Sequence, residues 1–247
     1  MRWLRQGLFV GKPATTFPLL AVAVGQNRAV SQTQPFTGTR AQHIARVAFL
    51  LRYVGQEPGA KAPDGAVAEM RSGQRLQAAD FWMRNPDYLA DVLLDEEAAG
   101  QRADGLVQAK AIFEDREPEL RRLPMTKWRF GAYEGLDDVL GPLILYGLVC
   151  HEAVVRTDNT VAEHRYWLMP PGVAFCDALV AAEPETFTWY AERARLIATV
   201  VRDTPGSALK DQQYKRIEYA STRPLALIPP ITEEVRARLR DLEEQAA

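Results

Sequence analysis

Apolar residues recur every three or four positions along several stretches of the chain, the spacing that places them on one face of an α-helix. This pattern predicts helices over 40–54, 74–84, 87–98, 132–148, 170–182, 185–202, 207–217 and 231–244, with a less regular one over 100–122. In the first helix, Arg40, Arg46 and Arg52 lie off the apolar stripe, so we expect them to face solvent. Residues 55–72 contain repeated Pro and Gly, which predicts a loop.

Two short runs rich in β-branched and aromatic residues, 149–156 and 160–168, predict a β-hairpin. Thr157-Asp158-Asn159 joins them, and Asp and Asn tolerate the positive φ of a tight turn. Because a helix precedes the hairpin and another follows it, the order is that of a winged-helix domain with the hairpin as its wing. An unrelated α+β hairpin remains the alternative. The predicted class is mainly α (α+β), with a winged-helix core, a small hairpin wing and long packing helices.

Charge divides the chain unevenly. The whole sequence has a net charge of −2, yet its first 52 residues contain seven basic residues and no acid. Such asymmetry suggests an acidic partner or a nucleic acid. The predicted elements and the charge together divide the chain into four parts. These are a basic, acid-free arm with a short strand (1–39), a helical part (40–124), a winged-helix region with following helices (125–220), and a linker with a charged helix (221–247).

The helix before the wing would enter the major groove if this were a DNA-reading winged helix. It carries Glu134, Asp137 and Asp138 and no Lys or Arg, and acids are repelled by phosphate. We therefore expect weak, nonspecific backbone contact at most. The candidates for contact with a partner or a nucleic-acid backbone are Arg2, Trp3, Arg5, Arg28, Arg121, Arg122, Lys127, Arg129, Arg156, His164 and Arg165, with ordinary solvated surface as the alternative.

No strong catalytic signature is present. Lys12 follows a glycine-bounded stretch but precedes Pro13, so a phosphate-binding loop is not predicted. His151 and His164 lie on facing strands, but alternation turns Cys150 to the other side, so we predict no metal site. No catalytic residue and no cofactor are assigned.

The acids of 87–97 would serve as a catalytic pair only if they were buried. Asp87, Asp91, Glu96 and Glu97 are predicted to form a solvated acidic helix face. His43 is predicted to be a surface or capping histidine.

The location of the protein is predicted from apolar runs and cysteines. No run approaches the roughly 18 apolar residues that span a bilayer, so no membrane association is predicted. The chain has only two cysteines, Cys150 and Cys176, which we expect to be free and buried in a reducing cytoplasm.

Three segments carry a family resemblance: Arg75–Ala90 (RLQAADFWMRNPDYLA), the stretch from Arg129-Phe-Gly-Ala-Tyr133 to Gly147-Leu-Val149, and Ala194–Tyr214. Together they resemble small winged-helix middle components, which accompany SMC-like or ABC-type ATPases in bacterial three-component anti-phage defence systems of the Lamassu kind. The similarity covers about residues 40–220.

The resemblance implies a non-enzymatic accessory subunit that docks on an SMC/ABC-type ATPase subunit and helps couple DNA sensing to an effector subunit. A dimeric winged-helix transcription regulator is the main alternative, and the apolar stripe of 185–202 leaves a homodimer open. An enzyme whose site forms only with a partner is a third.

Overall fold

The structure is a computed structural model that describes residues 39–128, 131–133 and 135–246. Its helices are α1 (Arg40–Val54), α2 (Gly73–Arg84), α3 (Pro86–Ala98), α4 (Gly105–Glu114), α5 (Glu117–Leu120), α6 (Asp137–Leu145), α7 (Pro170–Ala182), α8 (Pro184–Val201), α9 (Gly206–Gln213), α10 (Ile217–Ser221) and α11 (Thr232–Ala246). Its strands are β1 (Ala68–Arg71), β2 (Thr126–Trp128), β3 (Gly131–Tyr133), β4 (Val149–Val155) and β5 (Val161–Leu168). The fold is mainly helical α+β, as predicted.

The predicted hairpin is confirmed as the antiparallel pair β4 and β5. At its tip Asn159 has a φ of 62°, and the Asp158 carboxylate accepts a hydrogen bond from the Thr160 amide at 2.9 Å. These are the turn roles for which Asp and Asn are suited.

A third strand joins this hairpin, in the order β1-β5-β4. Met70 of β1 and His151 of β4 both face Tyr166 of the central strand in the antiparallel register. The prediction of a loop over 55–72 is therefore wrong for residues 68–71, which form β1. Strand β1 has only four residues, too few for a visible alternation, and its partner lies far along the chain.

The helix predicted over 132–148 is shorter than expected. Residues 131–133 form β3, which pairs with β2 in a separate two-stranded sheet, and α6 begins only at Asp137. The irregular helix predicted over 100–122 is two helices, α4 and α5, separated by Arg116 with a positive φ of 53°.

Helix α1 runs through the middle of the fold. It begins at Thr39 with a capping box, in which Thr39 and Gln42 exchange side-chain to backbone hydrogen bonds. It packs against α2, α6, α7 and α8. Phe49 stacks against Phe187 and Tyr190 of α8, with ring centroids 6.2 and 6.1 Å apart. The core cluster around it extends from Ile44 to Leu239.

Several charged side chains lie inside this core, contrary to prediction. Arg46 is 1% exposed and forms an ion pair with the fully buried Asp80 of α2. The prediction of a solvated acidic helix face is wrong for three of its four acids, because Asp87, Asp91 and Glu96 are 0%, 2% and 5% exposed. His43 is buried as well. Each of these three acids contacts a group from a distant segment, which a local pattern does not reveal.

Candidate functional site

An open cleft of about 970 Å³ lies beside the hairpin. Its walls come from the start of α2, strands β2 and β3, helix α6, the hairpin β4–β5 and helices α9 and α10. These elements are distant in sequence and are brought together by the pairing of β1 with β5 and by the packing of α9 on α2. We name this space the α6–hairpin cleft.

Helix α6 supplies an apolar wall. Leu140 and Ile144 of α6, with Leu136 directly before the helix, follow one another at intervals of four residues and line the cleft. Leu143, on the neighbouring face, is fully buried in the core. Just past the cleft, Leu145 is 81% exposed and Tyr146 is 47% exposed. The C-terminal end of α6 is therefore an exposed apolar surface.

Aromatic side chains also line the cleft. Trp128 and Tyr133, from β2 and β3, are 40% and 50% exposed at the cleft. The β3 strand is held by Tyr219, whose hydroxyl accepts a hydrogen bond from the Ala132 amide at 2.6 Å. Gly131 has a φ of +127°, and a Cβ there would lie 2.7 Å from that hydroxyl, so the position requires glycine.

Two histidines line the hairpin side of the cleft. His151 Nε2 and His164 Nδ1 are 3.0 Å apart, and the His151 ring also stacks on Tyr166 with centroids 5.0 Å apart. Partial burial and the neighbouring His164 hold the pKa of His151 below its usual value, while Asp137 acts in the opposite direction. Cys150 is on the other face of the sheet, opposite Trp167, as strand alternation predicts.

The predicted contact residues do not form one surface. Arg2, Trp3, Arg5, Arg28 and Arg129 lie outside the described residues. Within the described part, the basic cluster (Arg121, Arg122 and Lys127) is divided between α8, which Arg121 contacts, and the segment 219–228, which Arg122 and Lys127 contact. The three wing residues (Arg156, His164 and Arg165) belong to the hairpin.

The residues of the basic cluster make contacts within the protein. The Lys127 ammonium donates to the carbonyls of Tyr219 and Ala220 at 2.9 and 2.6 Å, and burial, then the charge of Lys210, lowers the pKa of Lys127. The surface contact expected of Lys127 does not fit this position, since the side chain is 6% exposed. Arg122 donates to the Ile228 carbonyl, and Arg121 lies over the Trp189 ring.

The wing residues have different surroundings. Arg156 is exposed at the tip of the hairpin and contacts the Thr160 hydroxyl at 3.4 Å. Arg165 pairs with Glu163 at 3.3 Å, which offsets its charge. His164 faces the cleft rather than the tip. Arg156 is thus the wing residue best placed to meet a phosphate.

Sequence reasoning missed the aromatic wall of the cleft. Trp128 lies between the predicted contact residues Lys127 and Arg129 in the sequence, but its exposure follows from the short strand β2, for which the sequence carries no clear signal. Tyr219 was outside every predicted element.

Among residues 39–128, 131–133 and 135–246, no three His, Cys, Asp or Glu side chains converge as a set of metal ligands. No helix in the same ranges has both the length and the apolar character needed to cross a bilayer. Comparison with family models, with curated proteins and with solved structures found no match to the chain.

Proposed function

We propose that this chain is a non-enzymatic winged-helix accessory subunit of a cytoplasmic complex. It docks on an SMC/ABC-type ATPase subunit and helps couple DNA sensing to an effector subunit in anti-phage defence. The proposal combines the family resemblance of the sequence with the surface of α6.

The strand order supports the winged-helix part of the proposal. A winged helix places a short strand after its first helix, and that strand joins the later hairpin as a third strand next to the second hairpin strand. Here β1 follows α1 and pairs with β5, and α6 directly precedes the hairpin. The segment from α3 to β3 is then an insertion between the second and third helices of that arrangement.

The surface of α6 is the observation that carries the docking role. In a DNA-reading protein this helix would present basic and amide side chains to the base edges. Instead it exposes Asp137 and Asp138 at its start and Leu145 and Tyr146 at its end. Phosphate repels the acids, and the free energy of a complex falls when a protein partner covers exposed apolar groups. Docking on protein therefore fits α6 better than reading DNA.

The test is co-purification of the full chain with the SMC- or ABC-type ATPase encoded next to its gene. Leu145→Asp should weaken binding at least tenfold, because it places a charge in the centre of the proposed interface. The side chain is 81% exposed, so the fold should tolerate the change. Val107→Asp is the matched control, since Val107 is 66% exposed on α4, which packs on α3, α5 and α11.

Three results would contradict the proposal. The first is equal binding of the ATPase by both variants. The second is the lack of any such ATPase among the neighbouring genes. The third is tight, sequence-selective DNA binding by the chain alone, measured by gel shifts at two salt concentrations. That result would favour the transcription regulator, since nonspecific backbone contact weakens steeply with salt.

A further inference from the structure

Two histidine rings contact each other on the hairpin wall of the α6–hairpin cleft. His151 of β4 faces Tyr166 in the register, and His164 lies two residues before Tyr166, so strand alternation places all three on one face. His151 Nε2 and His164 Nδ1 are 3.0 Å apart. The ring centroids are 5.2 Å apart, nearly the largest separation that such a contact allows, so the two nitrogens point at each other. The rings are therefore joined end to end by a hydrogen bond.

The number of protons on the pair decides whether this hydrogen bond can form. A neutral imidazole has one N–H group and one bare nitrogen, so two neutral rings, or one neutral and one protonated ring, can share a hydrogen between them. When both rings are protonated, every ring nitrogen carries a hydrogen and two positive charges lie side by side. The hydrogen bond is then lost and the charges repel each other. The contact thus tolerates one added proton but not two.

Asp137 of α6 offers the His151 ring a second partner. It lines the same cleft, and its negative charge acts to raise the pKa of His151. Its neighbour Asp138 is not part of the cleft lining. A protonated His151 that has lost its contact with His164 is therefore attracted toward α6.

Other titratable groups around the pair come from four elements. Within the described part of the cleft lining they are Tyr133 of β3, Glu163 and Tyr166 of β5, Lys210 of α9 and Tyr219 of α10. Burial, then the charge of Asp137, raises the pKa of Tyr166 to about 12, so this ring stays neutral where histidines titrate. Glu163 pairs with Arg165 at 3.3 Å. The two histidines are the groups of this lining whose usual pKa values lie closest to neutral pH.

We propose that the His151–His164 pair is a proton-sensitive latch on the wall of the cleft. The latch is closed, with the rings hydrogen bonded, while the pair carries at most one added proton. When the second proton binds, the rings separate and His151 turns toward Asp137, which links the hairpin to α6 across the cleft. Main-chain pairing holds β4 and β5 together in both states, so acidification changes the cleft without unfolding the hairpin. This proposal does not rest on the adaptor role, because it concerns the chain without any partner.

The test is an NMR titration of the histidine rings in the full chain from about pH 8 to about pH 5, the range in which histidines titrate. His164→Asn removes the second charge and leaves an amide near the position of Nδ1. The titration midpoint of His151 should then rise by at least about 0.5 pH units. Asp137→Asn should lower that midpoint, because it removes the attracting charge. Asp138→Asn is the matched control in the same helical turn and should leave the midpoint unchanged.

A second signal reports whether the rings separate. The methyl groups of Leu140 and Ile144, on the α6 wall, should change their chemical shifts with the second protonation step, because a charged ring moves toward them. The methyl groups of Val107, on α4 outside the cleft lining, should not change. In His164→Asn the second step is absent, so the change on α6 at low pH should be absent as well.

The latch is ruled out if the midpoint of His151 is the same in the wild type and in His164→Asn, which would mean that the rings titrate independently. Equal midpoints in Asp137→Asn and Asp138→Asn also contradict it. Titration of both rings without any methyl change on α6 would mean that they gain charge but stay together. Circular dichroism follows the fold, and unfolding above about pH 5 would exclude a switch within the folded chain. None of these results bears on ATPase binding, so the two proposals fail separately.

Discussion

Asp80 shows how one buried carboxylate holds several elements together. It is fully buried between Arg46 of α1 and Arg84 of its own helix, both 1% exposed. Arg46 Nε donates to its Oδ1 at 2.5 Å, and Arg84 also donates to the carbonyls of Leu123 and Pro124. One acid thus links α1 and α2 to the segment that leads into β2.

Asp80→Ala should lower the free energy of unfolding by about 3–5 kcal/mol, because it leaves two guanidinium groups buried without their shared carboxylate. Urea denaturation measures the change. The control is Asp177→Ala, which removes the 63% exposed partner of Arg52 and should cost at most about 1 kcal/mol. Similar losses in the two variants would show that the buried network contributes little.

At the scale of elements, Asp87 anchors the C-terminal helix. Its carboxylate accepts hydrogen bonds from the Ile231 amide at 2.8 Å and from the Thr232 hydroxyl at 3.1 Å, at the start of α11. Burial raises the pKa of Asp87 above its usual value despite these donors. Farther along α3, Asp91 and Asp95 pair with Arg238 of α11. Hydrogen bonds and ion pairs from the acids of α3 therefore hold one side of α11.

Asp87→Ala should destabilise the protein by about 1–3 kcal/mol, because the buried donors at the start of α11 lose their acceptor. Hydrogen exchange of residues 231–246 should rise more than exchange elsewhere. Asp95→Ala is the matched control, since Asp95 contacts the same helix but is 49% exposed, and its loss should be at most about 1 kcal/mol. If exchange rises uniformly over the chain, Asp87 does not act as a local anchor.

At the scale of the whole molecule, the hydrophobic core is continuous from Ile44 to Leu239. Tyr219 of α10 shows this continuity, because its ring contacts Phe81 and Tyr88 at centroid distances of 5.2 and 6.4 Å. Phe81 and Tyr88 belong to residues 40–124, and Tyr219 belongs to residues 125–220. Pairing of β1 with β5 joins the same two parts of the chain, so they share one core.

Unfolding in urea should therefore be a single cooperative transition. Far-UV circular dichroism reports on the helices throughout, and tryptophan fluorescence is the summed signal of five tryptophans, which include the buried Trp82 and Trp167. The two signals should give the same midpoint. Two separated midpoints would show that residues 40–124 and 125–220 unfold independently.

Elements whose stability is local can be predicted from the sequence. These are helix α1, the helices over 170–182 and 185–202, and the hairpin with its Asp158-Asn159 turn, which follow from spacing and turn chemistry among neighbouring residues. The remaining features arise from tertiary contacts. Strand β1, the buried Arg46 and Asp87, the internal position of Lys127 and the α6–hairpin cleft all depend on partners far along the chain. Burial of a charge is tolerated only where such partners converge, and no local pattern in the sequence records that convergence.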